Sequence, residues 1–234
     1  MQFPVGSLSG EELLNCLKTL CPVLESHAQQ RFGDAALTAG WLHFGRWGQA
    51  AIAQEKQYYQ AAFNAWWLFS WLPDDQSLEG ERFTSPAPDH AIAADYLTLR
   101  RATLAPLAQR VIERALTSPY SFYAVLSVKS GNRLQLQEIY TQKRVTVEAD
   151  ANTDNRIGDV LFSAVLSVDG VSILLGCMPL ALGASTRLRV EAHREKWRAE
   201  LGTAIDQRQL YLHDTELRRY YFLLLIQQHQ ACLH

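Results

Sequence analysis

Cysteine and histidine side chains supply the candidate metal ligands of this chain. They form two sets, Cys16, Cys21 and His27 near the beginning and His229, Cys232 and His234 near the end. Cys16 and Cys21 lie five positions apart, a spacing that leaves their side chains well separated around a helix axis. Buried free thiols explain the first set better than a zinc site does. The second set is more closely spaced but has no evident fourth ligand. We therefore predict no cofactor, and leave a zinc or copper site there as an open alternative.

A cluster of charged residues around position 216 could supply a base and an anion clamp. It contains His213, Asp214, Glu216, Arg218 and Arg219. Asp214 and Arg218 have the i, i+4 spacing of an ion pair on one face of a helix. A charged helix face with such i, i+4 pairs therefore explains the cluster with fewer assumptions than an active site.

Two pairs of carboxylates could act in general acid–base chemistry. Asp74 is adjacent to Asp75, and Asp150 precedes Asp154 in an Asp/Asn-rich stretch. Both pairs lie in turn-like sequence, where Asp is frequent because its side chain bonds to the local backbone. The sequence also contains no glycine-rich phosphate loop, nucleophile elbow or metalloprotease helix. We predict that the protein is not an enzyme.

Tryptophan is concentrated in residues 66–71 (WWLFSW). Such a cluster could stack on nucleic-acid bases or on a planar cofactor. However, Lys56 is the only cation between Ala50 and Arg82, and base stacking without phosphate neutralisation is a weak way to bind nucleic acid. The aromatic spacing is instead typical of a helix that faces a hydrophobic core.

The overall composition is that of a soluble globular protein. Among the 234 residues, 48% are hydrophobic, and 22 Lys and Arg oppose 24 Asp and Glu, giving a net charge of −2. This balance gives no global basic field for nucleic acid or a membrane. Four cysteines without a pattern favour a reducing compartment, and neither a signal peptide nor a membrane span is evident. We predict a cytoplasmic protein.

Helical periodicity covers most of the chain outside one central segment. A capping box at Ser9 and Glu12 opens the first helix, which contains Pro22. Asp89 and Thr103 are predicted N-caps of later helices. The predicted helices span about residues 10–31, 35–47, 49–72, 89–100, 103–116, 186–205 and 207–230, with an exposed linker at 73–88.

Residues 121–182 read as a compact run of β-strands. Apolar residues alternate over 121–128, a turn follows at 129–132, and Asp169-Gly170 marks a second turn. Small barrels with such strands can bind oligonucleotides. Across this segment, however, five Lys and Arg oppose six Asp and Glu, a balance that argues against a phosphate-binding face.

Three phrases carry a resemblance to a known group of proteins. They are residues 63–74 (FNAWWLFSWLPD), 118–125 (SPYSFYAV) and 158–162 (GDVLF). In this layout, the chain from about 45 to 182 resembles the uncharacterised bacterial proteins that often carry a SEC-C zinc motif. The cysteines of that motif are absent here, so zinc binding is not carried over. The resemblance implies a bacterial cytosolic protein with a non-catalytic accessory or adaptor role.

We predict an α+β fold in one integrated unit. Residues 1–118 form a helical bundle, 119–183 a small antiparallel sheet or partial barrel, and 184–234 helices that pack back across both. An isolated small sheet needs a helix to cover one face, which is why separate domains are disfavoured.

The leading functional hypothesis is protein–protein interaction, with a homo-oligomer as an open possibility. Tryptophan is enriched in binding hot spots, and the candidate contacts are Trp41, Trp47, Trp71 and Trp197. The alternative is a nucleic-acid-associated factor that uses the β segment or the basic start of the closing helix. The candidate anion contacts there are Arg187, Arg189, Arg194, Lys196 and Arg198. Glutamates interrupt this series, as on a solvated helix face.

Overall fold

The computed structural model describes residues 8–46, 48–72, 90–129, 133–148 and 156–231, without the side chains of 49–55, 229 and 231. Several predicted features therefore lie outside the described residues. They are the linker at 73–88, Trp47, Asp74, Asp75, Asp89, Asp150, Asp154, Cys232, His234 and the side chain of His229. The predicted α+β class is confirmed.

The first helix, α1 (Gly10–Gly45), covers the two helices predicted at about 10–31 and 35–47, and a kink separates its two parts between these predicted ranges. The predicted capping box is present: Ser9 Oγ accepts from the Glu12 amide, and the Glu12 carboxylate accepts from the Ser9 amide at 2.8 Å. Pro22 lies within α1 without ending it. The break is instead at Gly33, whose φ of 73° and ψ of −178° are not helical. Glycine tolerates this conformation because it has no Cβ.

Three further helical elements complete the N-terminal half. They are α2 (Gln49–Phe69), α3 (Ile92–Arg100) and α4 (Pro106–Ala115), with a 3-10 turn at Arg101–Thr103. The predicted N-cap Thr103 lies in that turn, and Ala105 caps α4 instead. Pro106 then occupies the first helical position, where its missing N–H leaves no bond unmade. Trp66 and Trp67 of α2 are buried in the core, as their spacing predicted.

Five strands form a closed barrel. They are β1 (Ser121–Lys129), β2 (Arg133–Glu138), β3 (Arg144–Glu148), β4 (Val160–Val168) and β5 (Val171–Leu175). The strand order is β1-β2-β3-β5-β4, and β4 pairs back onto β1. Every pairing is antiparallel except the parallel contact of β3 with β5. The predicted turn at Asp169-Gly170 is confirmed, with φ of 49° and 84°.

The two faces of the barrel have different neighbours. Alternate residues such as Val125, Leu136 and Val147 form a separate small cluster, and their pairing across the strands places them inside the barrel. The other face of β1, β4 and β5 belongs to the main core shared with the helices, through residues such as Phe122 and Phe162. Strands buried on both faces read as continuous apolar runs.

The closing helices are α5 (Ala184–Leu201), α6 (Gln207–Leu212) and α7 (Asp214–Ala231). Helix α7 contacts both halves of the protein, because Tyr221 stacks on Phe162 with centroids 5.3 Å apart and Phe222 lies against Phe44. The main core cluster thus contains residues of all three predicted segments. None of the helices in the described part of the chain has the length and apolar character needed to cross a bilayer.

Candidate functional site

The predicted tryptophan contacts are placed mainly in the core. Trp71 is 1% exposed and Trp197 is 8% exposed, so neither side chain presents a surface to a partner. Trp41 is partly buried; it stacks on Phe63 at a centroid distance of 3.7 Å, and the Lys56 ammonium lies 4.5 Å from its ring. Burial of these rings stabilises the fold.

The predicted anion contacts of α5 are engaged with neighbouring side chains. Arg187 pairs with Glu191 at 2.8 Å, and Lys196 lies 3.8 Å from Glu200. Arg194 and Arg198 both pair with Glu195, and Arg189 donates to Gln227. Arg194 also donates to the Ile139 carbonyl at 3.1 Å, which ties α5 to the barrel. These contacts match the solvated-face interpretation better than an anion site.

The first candidate metal set does not converge. His27 Nε2 lies 2.7 Å from a carboxylate oxygen of Asp95 on α3. Burial, with a smaller contribution from Glu25, raises the pKa of the Cys21 thiol to about 11, which disfavours the thiolate that binds metal. Among the residues that the structure describes, no group of three or more metal-ligating side chains is assembled.

Arg218 forms the predicted pair with Asp214 near the C-terminus, but it does so inside the core. Its i, i+4 partner Asp214 lies 3.6 Å away, as the spacing predicted, but Arg218 is only 1% exposed. The guanidinium lies 4.1 Å from the Trp66 ring, and Asp214 accepts a hydrogen bond from Trp66 Nε1 at 3.1 Å. Burial lowers the pKa of Arg218, with Asp214 opposing the shift. The pair joins α7 to α2 inside the core, as cation–π and ionic contacts can.

A cavity of about 570 Å³ lies between the end of α4, strand β4 and helix α6. Its lining combines apolar side chains with hydroxyl and amide groups and two guanidinium groups: Arg114, Leu116, Thr117, Ser118, Val165, Ser167, Gln207, Arg208 and Tyr211. A cavity of this size is typical of a ligand site.

A second cavity of about 190 Å³ adjoins the first and shares Val165, Ser167 and Gln207 with it. Its lining includes Tyr123 and Val145, which belong to the interior cluster of the barrel. The second cavity therefore opens at the end of the barrel. We refer to the two cavities together as the barrel-mouth groove.

Four cations line the barrel-mouth groove. Arg114 and Arg208 belong to the larger cavity, and Lys143 and Arg144 to the smaller one. All four are exposed, and none forms an ion pair with a residue in the described ranges. They differ in this respect from the cations of α5.

Glu138 is the one carboxylate among the described lining residues. It is buried and accepts bonds from Ser121 Oγ at 2.5 Å and from the amides of Tyr140 and Thr141 at 2.9 and 2.5 Å. These bonds hold the β2–β3 turn and satisfy the carboxylate internally. The groove therefore keeps an excess of positive charge.

Helix α6 positions the outer wall of the groove. Asp206 and Gln209 form a capping box at its start, and Leu210 is buried as its anchor. Gln207 donates to the Thr117 carbonyl at 3.2 Å, which fixes α6 against the segment before β1. Gln207, Arg208 and Tyr211 have i, i+3 and i+4 spacing, so they share the face that lines the groove.

The groove was missed from the sequence because its cations come from separate segments. Lys143 and Arg144 lie within 121–182, where six acidic residues offset their charge, although Glu138 is the one among the described acids that lines the groove. Arg114 and Arg208 lie outside that segment altogether. A local signal existed for Arg208 alone, in its spacing from Gln207 and Tyr211 after the N-cap Asp206.

Comparison of the chain with protein-family models, with curated proteins and with solved structures finds no match. The resemblance to proteins that carry a SEC-C motif therefore stays a prediction. The closed five-stranded barrel is an architecture that includes oligonucleotide-binding folds. Since one fold can host unrelated functions, a function has to be inferred from the residues of the site and not from the fold alone.

Proposed function

We propose that this protein is a non-catalytic accessory factor that binds nucleic acid in the barrel-mouth groove. The observation that carries the proposal is that Arg114, Arg208, Lys143 and Arg144 line two adjoining cavities, where Glu138, the one carboxylate among the described lining residues, is already hydrogen-bonded within the protein. Phosphate neutralisation by such cations, with release of counterions, supplies most of the affinity of sequence-independent binding.

The polar groups of the groove fit the same ligand. Thr117, Ser118 and Ser167 offer hydroxyl groups and Gln207 an amide beside the guanidinium groups. Hydroxyl, amide and guanidinium groups are common partners of phosphate and sugar oxygens. The free thiols of Cys16, Cys21 and Cys177 fit a reducing compartment such as the cytoplasm.

Two charge-matched variants test the proposal. Arg114→Gln with Arg208→Gln removes two groove cations, and Lys196→Gln with Arg198→Gln removes two paired cations from α5. Binding of labelled single-stranded and duplex DNA is measured by fluorescence anisotropy at low salt. We expect the groove variant to bind about 10-fold more weakly or worse, and the α5 variant to stay within about 2-fold of the parent protein.

Two results would contradict the proposal. One is the absence of binding to either DNA at low salt. The other is an equal loss of affinity in both variants, because the interaction would then depend on net charge and not on the groove.

A protein partner, the leading hypothesis from the sequence, is the second candidate. Ile157 is 69% exposed and Leu188 is 71% exposed. Gly158, the neighbour of Ile157, closely approaches Ala184 at the start of α5, one helical turn before Leu188. Exposed apolar side chains on adjoining segments are candidates for a contact surface. A pull-down from the source organism with the parent protein and an Ile157→Ser, Leu188→Ser variant tests this candidate, and identical sets of bound proteins would refute it.

A further inference from the structure

Tyr211 is the aromatic side chain at the rim of the barrel-mouth groove. It is 41% exposed, lies on α6 and lines the larger cavity together with Arg114 and Arg208. Within the described part of the chain its ring contacts no other aromatic ring. This contrasts with Trp41, whose ring is stacked on Phe63. A ring that is both exposed and unstacked can receive a flat ligand.

The surroundings of Tyr211 suit a nucleotide. Arg208 precedes it by three positions on the same face of α6, and Arg114 approaches from α4. A base stacked on the ring would therefore have its phosphates near two guanidinium groups, the combination that single-strand-binding proteins use. The hydroxyls of Thr117 and Ser118 donate to the Arg114 carbonyl and keep lone pairs that can accept from a base.

We infer that the ligand of the groove is single-stranded nucleic acid and that Tyr211 stacks on one of its bases. The inference rests on the proposed function and adds to it the strandedness of the ligand and the residue that recognises it. In a duplex, base pairing and stacking occupy both faces and the pairing edges of every base, so only the four cations would find partners. A single strand engages the cations and the ring together.

An acidic peptide is the competing ligand for four cations. It would satisfy the guanidinium and ammonium groups through its carboxylates, but it offers no flat ring to Tyr211. Poly-glutamate therefore serves as a competitor that matches the charge without the bases.

The test compares three single substitutions with the parent protein. Tyr211→Ala removes the ring, and Tyr211→Phe keeps the ring but removes the hydroxyl. Tyr58→Ala is the matched control, because Tyr58 is an exposed tyrosine on α2 that does not line the groove. Anisotropy titrations use a labelled oligothymidylate of about 16 nucleotides, the same strand annealed to its complement, and poly-glutamate as competitor. Circular dichroism verifies that each variant is folded.

The expected result is tighter binding to the single strand than to the duplex. Tyr211→Ala should weaken single-strand binding roughly 5- to 150-fold, the loss expected for one stacked base. Its duplex binding should change little, and Tyr211→Phe and Tyr58→Ala should stay within about 2-fold of the parent.

The possible failures are distinguishable. Equal affinity for both DNA forms, or a Tyr211→Ala variant that binds the single strand like the parent, overturns the stacking inference and leaves the proposed function standing. Displacement by poly-glutamate at equal charge concentration also overturns it, in favour of an acidic peptide. The absence of binding to either DNA overturns the proposed function and the inference together.

Discussion

Replacing Gly176 by alanine should destabilise the protein strongly, because Gly176 lies where the barrel meets α2. The Tyr120 hydroxyl lies 3.0 Å from the Gly176 carbonyl oxygen and 3.1 Å from that of Ala62, and donates a shared hydrogen bond to them. Gly176 has a φ of +66°, and a Cβ there would lie 2.2 Å from the Tyr120 hydroxyl and 2.4 Å from the Cβ of Ala65. Alanine would displace the tyrosine or the helix.

Three effects set the magnitude. The left-handed backbone costs a residue with a Cβ about 1–2 kcal/mol. Overpacking against Ala65 costs about 1–3 kcal/mol, and loss of the buried hydrogen bond of Tyr120 about 1–2 kcal/mol. The free energy of unfolding should therefore fall by about 3–7 kcal/mol in Gly176→Ala. Tyr120→Phe, which loses the bond alone, should lose about 1–2 kcal/mol.

Gly170→Ala is the matched control. Gly170 has a φ of +84° in the β4–β5 turn, but a Cβ there would meet nothing within 4 Å. This variant should lose only the backbone contribution of about 1–2 kcal/mol. Urea unfolding followed by tryptophan fluorescence gives the differences from the midpoints, provided that the m-values agree. If Gly176→Ala costs no more than Gly170→Ala, the contact of Tyr120 with the barrel end is not as described.

Three further predictions concern ionisation. Burial raises the pKa of Cys177 to about 12 and of Cys21 to about 11. Both thiols should therefore react with a maleimide at pH 8 far more slowly in the native state than in urea. Equal reaction rates in the two states would contradict their burial. The two thiols lose their protons at a lower pH in the unfolded state than in the native state. The free energy of unfolding should therefore fall as the pH rises above about 9, which the midpoint of urea unfolding measures. Burial lowers the pKa of His193, and the nearby charge of Lys196 makes a smaller contribution in the same direction. The Nδ1 atom of His193 lies 2.9 Å from the Tyr140 hydroxyl. The free energy of unfolding should therefore also fall as the pH drops below about 6.5, and His193→Gln should reduce this decrease. If the decrease is the same in the variant, groups other than His193 cause it.

Local periodicity predicted most of the helices and strands but not the closure of the strands into a barrel. The helices and the turn at Asp169-Gly170 follow from apolar spacing and turn residues. Closure of the barrel depends on a parallel contact of Glu148 with Ile173, two residues far apart in the chain. No local pattern encodes such a pairing, because parallel strands need no particular turn between them.

The candidate site was less predictable for a related reason. The sequence gives the charge of a residue but not the side chains that surround it in the fold. The five cations of α5 and the four cations of the groove therefore cannot be distinguished until their partners are known. Arg218 shows the same limit, since its spacing from Asp214 is equally suited to a surface pair and to the buried one observed. Burial is a tertiary property that i, i+4 spacing does not specify.

The salt dependence of single-strand binding tests the central claim most directly. For single strands, the logarithm of the binding constant falls with the logarithm of salt concentration by about 0.7 per neutralised phosphate. Four groove cations therefore predict a slope of about −2.8. The Arg114→Gln, Arg208→Gln variant should give about −1.4, and the Lys196→Gln, Arg198→Gln variant should keep the parent slope. A slope near zero, or one that the groove variant leaves unchanged, would contradict binding through the barrel-mouth groove.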